Sequence, residues 1–243
     1  MFKIVITLAV LIFAVYKLTP MILKHFAIRA YNQGNIAKTL RLYKTASDLF
    51  GKHIQYKTEY GLILMRIGEF KEAENIFNEI ILDTSVEKKN KINVYAYRAM
   101  AYHKQGRNND ALEDMEELYK TSKSSVVYGM LGFLKQLTGE SAVSFCEEAY
   151  DYNSDDRDIC DNMLVAYTRE GRLDKATEIA ENLREKYPDF VEAFYHSAQL
   201  ELKKGNFKKA KDLINKTDNC RRSMLTTVSE EEVNLLKEEI KNA

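Results

Sequence analysis

The sequence predicts an all-α chain of repeated helix–turn–helix units. Three observations carry that expectation. Ten Gly and two Pro in 243 residues leave little punctuation for hairpins. One glycine recurs between amphipathic stretches, at Gly34, Gly68, Gly106, Gly139, Gly171 and Gly205, with intervals of 34, 38, 33, 32 and 34 residues. A small residue stands seven positions before five of these six glycines, as Ala27, Gly61, Ala99, Gly132 and Ala198, with Leu164 the exception. Each glycine supplies a positive-φ position at which one helix stops and an antiparallel one begins, and each small residue permits close helix contact.

In chain order, residues 4–16 come first, thirteen positions without a charge. As a helix this run spans ~20 Å against a hydrocarbon core of ~30 Å, so a crossing must recruit Phe2 and Leu18–Leu23 and let Lys17 snorkel. Nine Ile, Leu, Val and Phe residues contribute ~3–5 kcal/mol to insertion, more than Lys17 costs. The expectation is one N-terminal transmembrane anchor, residues 1–19, with membrane contact through 2–23. A cleaved signal peptide competes, but Ala14-Val15-Tyr16 lacks a small-residue cleavage site. An interfacial helix is the remaining alternative. Lys17, Lys24, Arg29, Lys38, Arg41 and Lys44 follow the run, whereas Lys3 alone precedes it, so the bulk of the chain is expected to be cytoplasmic. Pro20 then starts the first repeat and separates it from the anchor.

The facing helix of each unit is marked five residues after the glycine by Thr39, Ala73, Ala111, Ala176 and Ala210. Ala142 takes that role in the fourth unit if its turn, Thr138–Ser141, is two residues shorter. The run Gly61-Leu-Ile-Leu-Met-Arg-Ile-Gly-Glu-Phe-Lys-Glu-Ala-Glu-Asn-Ile-Phe77 resembles a tetratricopeptide repeat, as do Tyr167, Gly171, Leu173, Ala176, Leu183 and Pro188 at that family's spacings. The resemblance covers residues 20–217 and implies six repeats, at 20–53, 54–91, 92–124, 125–156, 157–190 and 191–217. Departures are Leu164, Thr39, an insertion around Thr84–Lys91 and the compressed turn. Residues 218–243 read as a loop and a terminal capping helix, where Ser229-Glu230-Glu231-Glu232 begins a capping box and Val233, Leu236 and Ile240 form one apolar stripe.

Chemistry-bearing patterns are sparse. The sequence holds no phosphate-binding glycine loop, no His-Glu-x-x-His and no glycine-flanked serine, so no catalysis and no cofactor are expected. Asp151 to Asp158 spaces oxygens like a calcium loop, but Asp156 stands where a glycine belongs, and a repeat junction with a capping carboxylate is the plainer reading. His25, His53, His103 and His196 lie in different units and suggest no metal site. Cys146, Cys160 and Cys220 read as free thiols. Thirty-six Lys and Arg balance thirty-six Asp and Glu, which argues against nucleic acid as the partner. Residues 1–60 are nevertheless basic and 139–162 acidic.

The resemblance implies a concave groove built from the first helix of each unit, in which a partner protein or peptide docks. Its lining positions hold Thr58, Leu62, Met65 and Arg66, then Tyr97, Met100, His103 and Lys104, then Met130 and Phe133, then Val165 and Arg169, with His196 at a polar end that also holds Asp161, Asn162, Tyr195 and Gln199. Met and aromatic side chains there are adaptable contacts for an apolar segment. The carboxylate clamp of the chaperone-binding members is absent, since its positions hold Lys24, Ile28, Glu59, Asn93 and Tyr97. The expected function is a membrane-tethered, non-catalytic scaffold. The alternative is an envelope-facing accessory protein of the same fold that assists secretion or assembly.

Overall fold

The structure, a computed structural model, describes residues 2–50, 53–139 and 142–243; the side chains of 2–5, 7–12 and 14 lie outside the description. Among the described residues there are thirteen α-helices and no strands. The chain divides into two compact units, Met1–Val94 and Tyr95–Ala243.

The first unit contains α1 (Phe2–Asn32), α2 (Ile36–Phe50), α3 (Ile54–Arg66) and α4 (Phe70–Leu82). Its repeats form because each helix buries one stripe. Ala27 and Ala30 of α1 meet a core that holds Tyr43, Ala46 and Phe50 of α2, while Leu64 and Met65 of α3 and Ala73, Phe77 and Ile80 of α4 are buried in the next repeat. Thr39, at an alanine position, satisfies its buried hydroxyl by donating to the Asn35 carbonyl at 2.9 Å. Gly61 is there because Phe77 is: a Cβ at Gly61 would lie 2.4 Å from the Phe77 Cε1 atom. The insertion after α4 folds into a 3-10 turn, Lys88–Lys91, and has a structural use. Buried Lys91 donates to the Ile81 carbonyl at 2.8 Å and the Asp83 carbonyl at 2.5 Å, closing the carbonyl end of α4 with a cation.

One expectation fails here. Pro20 does not separate an anchor from the first repeat; α1 runs unbroken for 31 residues with Pro20 inside it. Proline removes only the hydrogen bond to Tyr16 O, and the adjoining turn is held by Thr19 Oγ1, which donates to Val15 O at 2.7 Å. The anchor's apolar run lies largely outside the described side chains, and among the described residues no helix is long and apolar enough to cross a membrane.

The second unit contains α5 (Ile92–Lys104, counted from Tyr95), α6 (Asn108–Tyr119), α7 (Ser125–Leu137), α8 (Val143–Tyr152), α9 (Arg157–Glu170), α10 (Leu173–Lys186), α11 (Val191–Lys203), α12 (Phe207–Lys216) and α13 (Glu230–Asn242). All six aligned glycines take φ between 72° and 87°, and among the described residues no other has positive φ. Side chains fix the helix starts: Ser124 Oγ accepts from Val127 N, Asp156 Oδ1 accepts from Asp158 N at 3.0 Å and Ile159 N at 3.2 Å, and Ser229 with Glu232 forms a capping box. Within the Asp151–Asp158 run, Asp156 therefore serves as the cap of the next helix.

The compressed fourth turn resolves differently from expectation. Ala142 precedes α8 instead of lying inside it, and Glu140 and Ser141 fall outside the described residues. Its burial still matches: Ala142, Cys146 and Ala149 are buried with the 4- and 3-residue spacing of Ala111, Met115 and Leu118. The exceptional Leu164 is fully buried in one cluster with Ala176, Ala180 and Leu183 of the facing helix. Ala180 occupies the position that holds Phe77, Met115 and Ile214 in other repeats, so the large and small partners have exchanged sides. Pro188 follows the end of α10 and is exposed. Val233, Leu236 and Ile240 of α13 cover Ala210, Leu213 and Ile214 of α12.

Gly61→Ala should overpack the α3–α4 contact and cost about 1–3 kcal/mol, read as a lowered thermal midpoint. Gly61→Ala combined with Phe77→Leu should recover part of that loss, and an unchanged midpoint in the single variant contradicts the contact.

Candidate functional site

The residues that sequence reasoning placed on one groove fall in both units. In the first, Thr58 and Leu62 are half-buried on α3, and the Thr58 hydroxyl donates to its own helix at Ile54 O, 2.8 Å away. Arg66 is exposed, with its guanidinium 5.6 Å from the Tyr31 ring centroid. Met65 is buried, which removes it from the contacts a ligand could make.

In the second unit the first helices α5, α7, α9 and α11 present Tyr97, His103, Met130, Phe133, Val165 and His196 half-buried. Met100 corrects the expectation: it has no exposed surface and forms the floor beneath the groove. The error has a simple cause, since register fixes the face a residue occupies but not its depth. His103 and Phe133 meet edge to face at 5.1 Å between ring centroids, and His103 Nδ1 donates to Asn108 Oδ1 at 2.9 Å. Burial holds the His103 pKa below its usual value despite that bond, which favours the neutral ring.

Two compartments result. The larger is an open cleft of about 600 Å³, lined by His103, Phe133, Gln136, Asp161, Asn162, Val165, Arg169, Tyr195, His196 and Gln199 among others. It brings together two histidines that sequence position alone had kept apart; among the described residues no cluster of metal-ligating groups forms. Gln136 carries the polar lining from helix to helix: its Nε2 donates to Asn162 Oδ1 at 3.2 Å, and its carbonyl accepts from Arg169 Nη1 at 2.8 Å. Asn162 Nδ2 in turn donates to the Gly129 carbonyl at 2.7 Å. A side chain on Gly132 would collide with that amide, since a Cβ there would lie 2.8 Å from Asn162 Nδ2. The glycine at this aligned position thus makes room for a polar bridge as well as for helix contact.

At the polar end His196 Nδ1 donates to buried Asp161 Oδ1 at 2.7 Å. Burial pulls the His196 pKa down, but the Asp161 charge and hydrogen bond more than offset it, and the net shift is upward.

The smaller compartment, about 120 Å³, lies between Met100, Met130 and Phe133 on one side and Glu192, Leu225 and Thr227 on another. Leu225 and Thr227 belong to the loop before α13, which sequence reasoning treated only as a connection. That loop instead reaches the groove. Lys104 Nζ donates to Thr226 O at 3.2 Å, and Thr227 N donates to Glu192 Oε1 at 2.8 Å. Glu192 and the loop were missed because their pairing spans 35 residues and Lys104 with Thr226 spans 122, with no local pattern to announce either.

The cysteines lie elsewhere. Cys146 and Cys160 are buried, which pushes their thiols up to about 12 and about 11 and leaves them inert; Cys220 is partly exposed.

The fold is similar to solved tetratricopeptide repeat structures. One from Parabacteroides merdae matches over 92% of this chain and 99% of its own at 15% identity, TM-score 0.61. TTC0263, a tetratricopeptide repeat protein of Thermus thermophilus, matches over 78% and 100% at 17% identity, TM-score 0.60. Pseudomonas aeruginosa pilF matches over 93% and 98% at 12% identity, TM-score 0.62. These likenesses establish a tetratricopeptide-type helical-repeat fold. No protein-family model and no curated protein matches the chain.

The His196–Asp161 pair makes stability depend on pH. Because the folded pKa of His196 is raised above 6.5, the contribution is complete below 6.5 and is lost as pH rises through the higher folded value. His196→Gln should therefore cost about 1–3 kcal/mol near pH ~5.5 and progressively less toward pH ~9, checked by thermal melts of both proteins across that range.

Proposed function

We propose that this protein is a membrane-tethered, non-catalytic scaffold that holds a segment of a partner protein in the concave groove of its second unit. The observation that carries this reading is the open cleft of about 600 Å³, which sets the apolar surfaces of Phe133 and Val165 beside hydrogen-bonding groups on Gln136, Asn162 and Gln199. An apolar floor with a few converging polar groups suits a peptide better than a smooth surface would. Lys24, one position of the chaperone-type carboxylate clamp, is paired with Glu59 at 2.6 Å, so a terminal carboxylate finds no free cation there.

Tethering rests on α1. Ile6, Phe13, Val15, Tyr16, Leu18, Met21 and Ile22 are all exposed along its first two-thirds. Such a row of large apolar side chains needs a second apolar medium, and a bilayer supplies it. Because α1 continues without a break into the first repeat, that repeat is held close to the membrane surface and the groove's occupant is concentrated there.

Two experiments test these parts separately. A photo-crosslinking residue at Leu137, on the lip of the cleft, should capture a discrete partner in cells, and one at exposed Lys208 should not. Phe133→Glu should abolish the Leu137 product while leaving the thermal midpoint within ~1 kcal/mol of wild type, as for other partly exposed positions. Equal products at Leu137 and Lys208 would count against the groove. For the tether, the chain should sediment with membranes after alkaline extraction, and an impermeant maleimide should reach Cys220 only after lysis. Labelling of Cys220 in intact cells would place the repeats outside.

A further inference from the structure

The segment between α12 and α13 is longer than a connection between neighbouring helices needs, and its course is informative. After a short 3-10 turn, Thr217–Asn219, it runs alongside the start of α11, where Arg221 N donates to Asp189 O at 3.2 Å. It then reaches α5, and buried Val228 returns it to the core under α13. Between those footings, Arg221, Arg222 and Ser223 are exposed and Met224 to Thr227 are half-buried.

Its polar contacts with the groove are made mostly by backbone. The Thr226 carbonyl accepts from Lys104, and the Thr227 N–H donates to Glu192, with Thr227 Oγ1 adding a longer contact of 3.3 Å. Any peptide backbone offers the same carbonyl and N–H. One side chain, Leu225, lines the small compartment together with Met100, Met130 and Phe133. Asp156, Asp158, Asp161 and Glu192 line that compartment too; none of its lining residues is a cation, while just outside it His196 bonds Asp161, Arg157 lies 3.6 Å from Asp158, and Arg222 donates to Val228 O at 2.6 Å. Two arginines, Arg221 and Arg222, stand four and three positions before the seated leucine.

From this arrangement we infer that residues 221–227 are an internal ligand, occupying part of the groove until displaced by a partner segment of the same chemistry: an aliphatic residue in a tight turn, as Leu225 is in the turn closed by Thr226 N donating to Ser223 O at 3.2 Å, with basic residues three and four positions before it. The partner's backbone takes over the hydrogen bonds to Lys104 and Glu192, its aliphatic side chain replaces Leu225, and its basic residues face the four carboxylates. The open cleft beside the segment gives a longer partner its first foothold, so displacement can proceed stepwise from an encounter that needs no prior opening. Intramolecular attachment gives residues 221–227 a high effective concentration, and only a partner that also fills the open cleft competes well. The inference rests on the groove reading proposed above and specifies its occupant.

The test uses the full chain in detergent micelles and a fluorescent peptide of residues 221–228, Arg-Arg-Ser-Met-Leu-Thr-Thr-Val. Leu225→Asp combined with Thr227→Pro removes the seated side chain and the N–H donor. Peptide affinity, read by anisotropy, should rise at least ~10-fold over wild type, and a peptide with both arginines changed to glutamate should bind less well. Equal affinity for both proteins, or no binding to a variant that melts like wild type, overturns the inference. Hydrogen exchange on the unaltered chain covers the case in which the variant does not fold. Excess peptide should accelerate exchange at the Thr227 amide while α11 and α13 keep their protection, and an unchanged Thr227 rate overturns the inference. A chain that cross-links a partner through Leu137 yet binds this peptide in neither form retains the groove and loses only the internal ligand.

Discussion

Everything in this protein depends on how closely the two helices of a repeat can approach. Gly61 and Phe77 show the constraint in its strictest form, since even a methyl group on the glycine would lie within 2.4 Å of the ring. Ala27, Ala99 and Ala198 meet the same requirement with no exposed surface, and Leu164 meets it by facing Ala180. In the Gly61–Phe77 and Leu164–Ala180 pairs one large side chain faces one small one, which is the form that close packing takes when a motif is repeated with different residues. Helix turns follow from it: a left-handed glycine at φ near 75° reverses the chain in so short a space that the second helix must return against the first.

The groove is a by-product of that contact. Once the small residues face the second helix, the opposite sides of α7, α9 and α11 are left without a partner in their own repeats. Polar side chains then bridge between successive first helices, Gln136 to Asn162 and Asp161 to His196, and these bridges set the floor of the cleft. Their buried hydrogen bonds fix the lining in place, so the cleft is preorganised. The same unfilled surface explains why the segment before α13 settles there: Leu225 and Val228 find apolar neighbours, and Lys104 and Glu192 find backbone partners.

Much of the fold was legible in the sequence because its signals are local and repeated. Six glycines and their small partners locate the helix pairs, and a capping box located α13. Pro20 misled because its position in the chain looks like a boundary, whereas a helix with exposed length on both sides of the proline tolerates one missing hydrogen bond. Ala142 showed the reverse: the packing register survived while the helix start moved. At the site, periodicity found the face but not the depth, so Met65 and Met100 turned out to be floor rather than contact. The segment at 221–229 was illegible for a different reason. Its contacts join residues up to 122 positions apart, and loop composition carries no trace of where a loop lies.

The central claim is that the concave face of the second unit is where a partner sits. The most direct measurement is the structure of the chain bound to the partner captured at Leu137. The account predicts a segment of that partner against Phe133 and Val165, with Leu225 withdrawn from its compartment. A partner bound to the second helices, with the groove unchanged and Leu225 still seated, would contradict it.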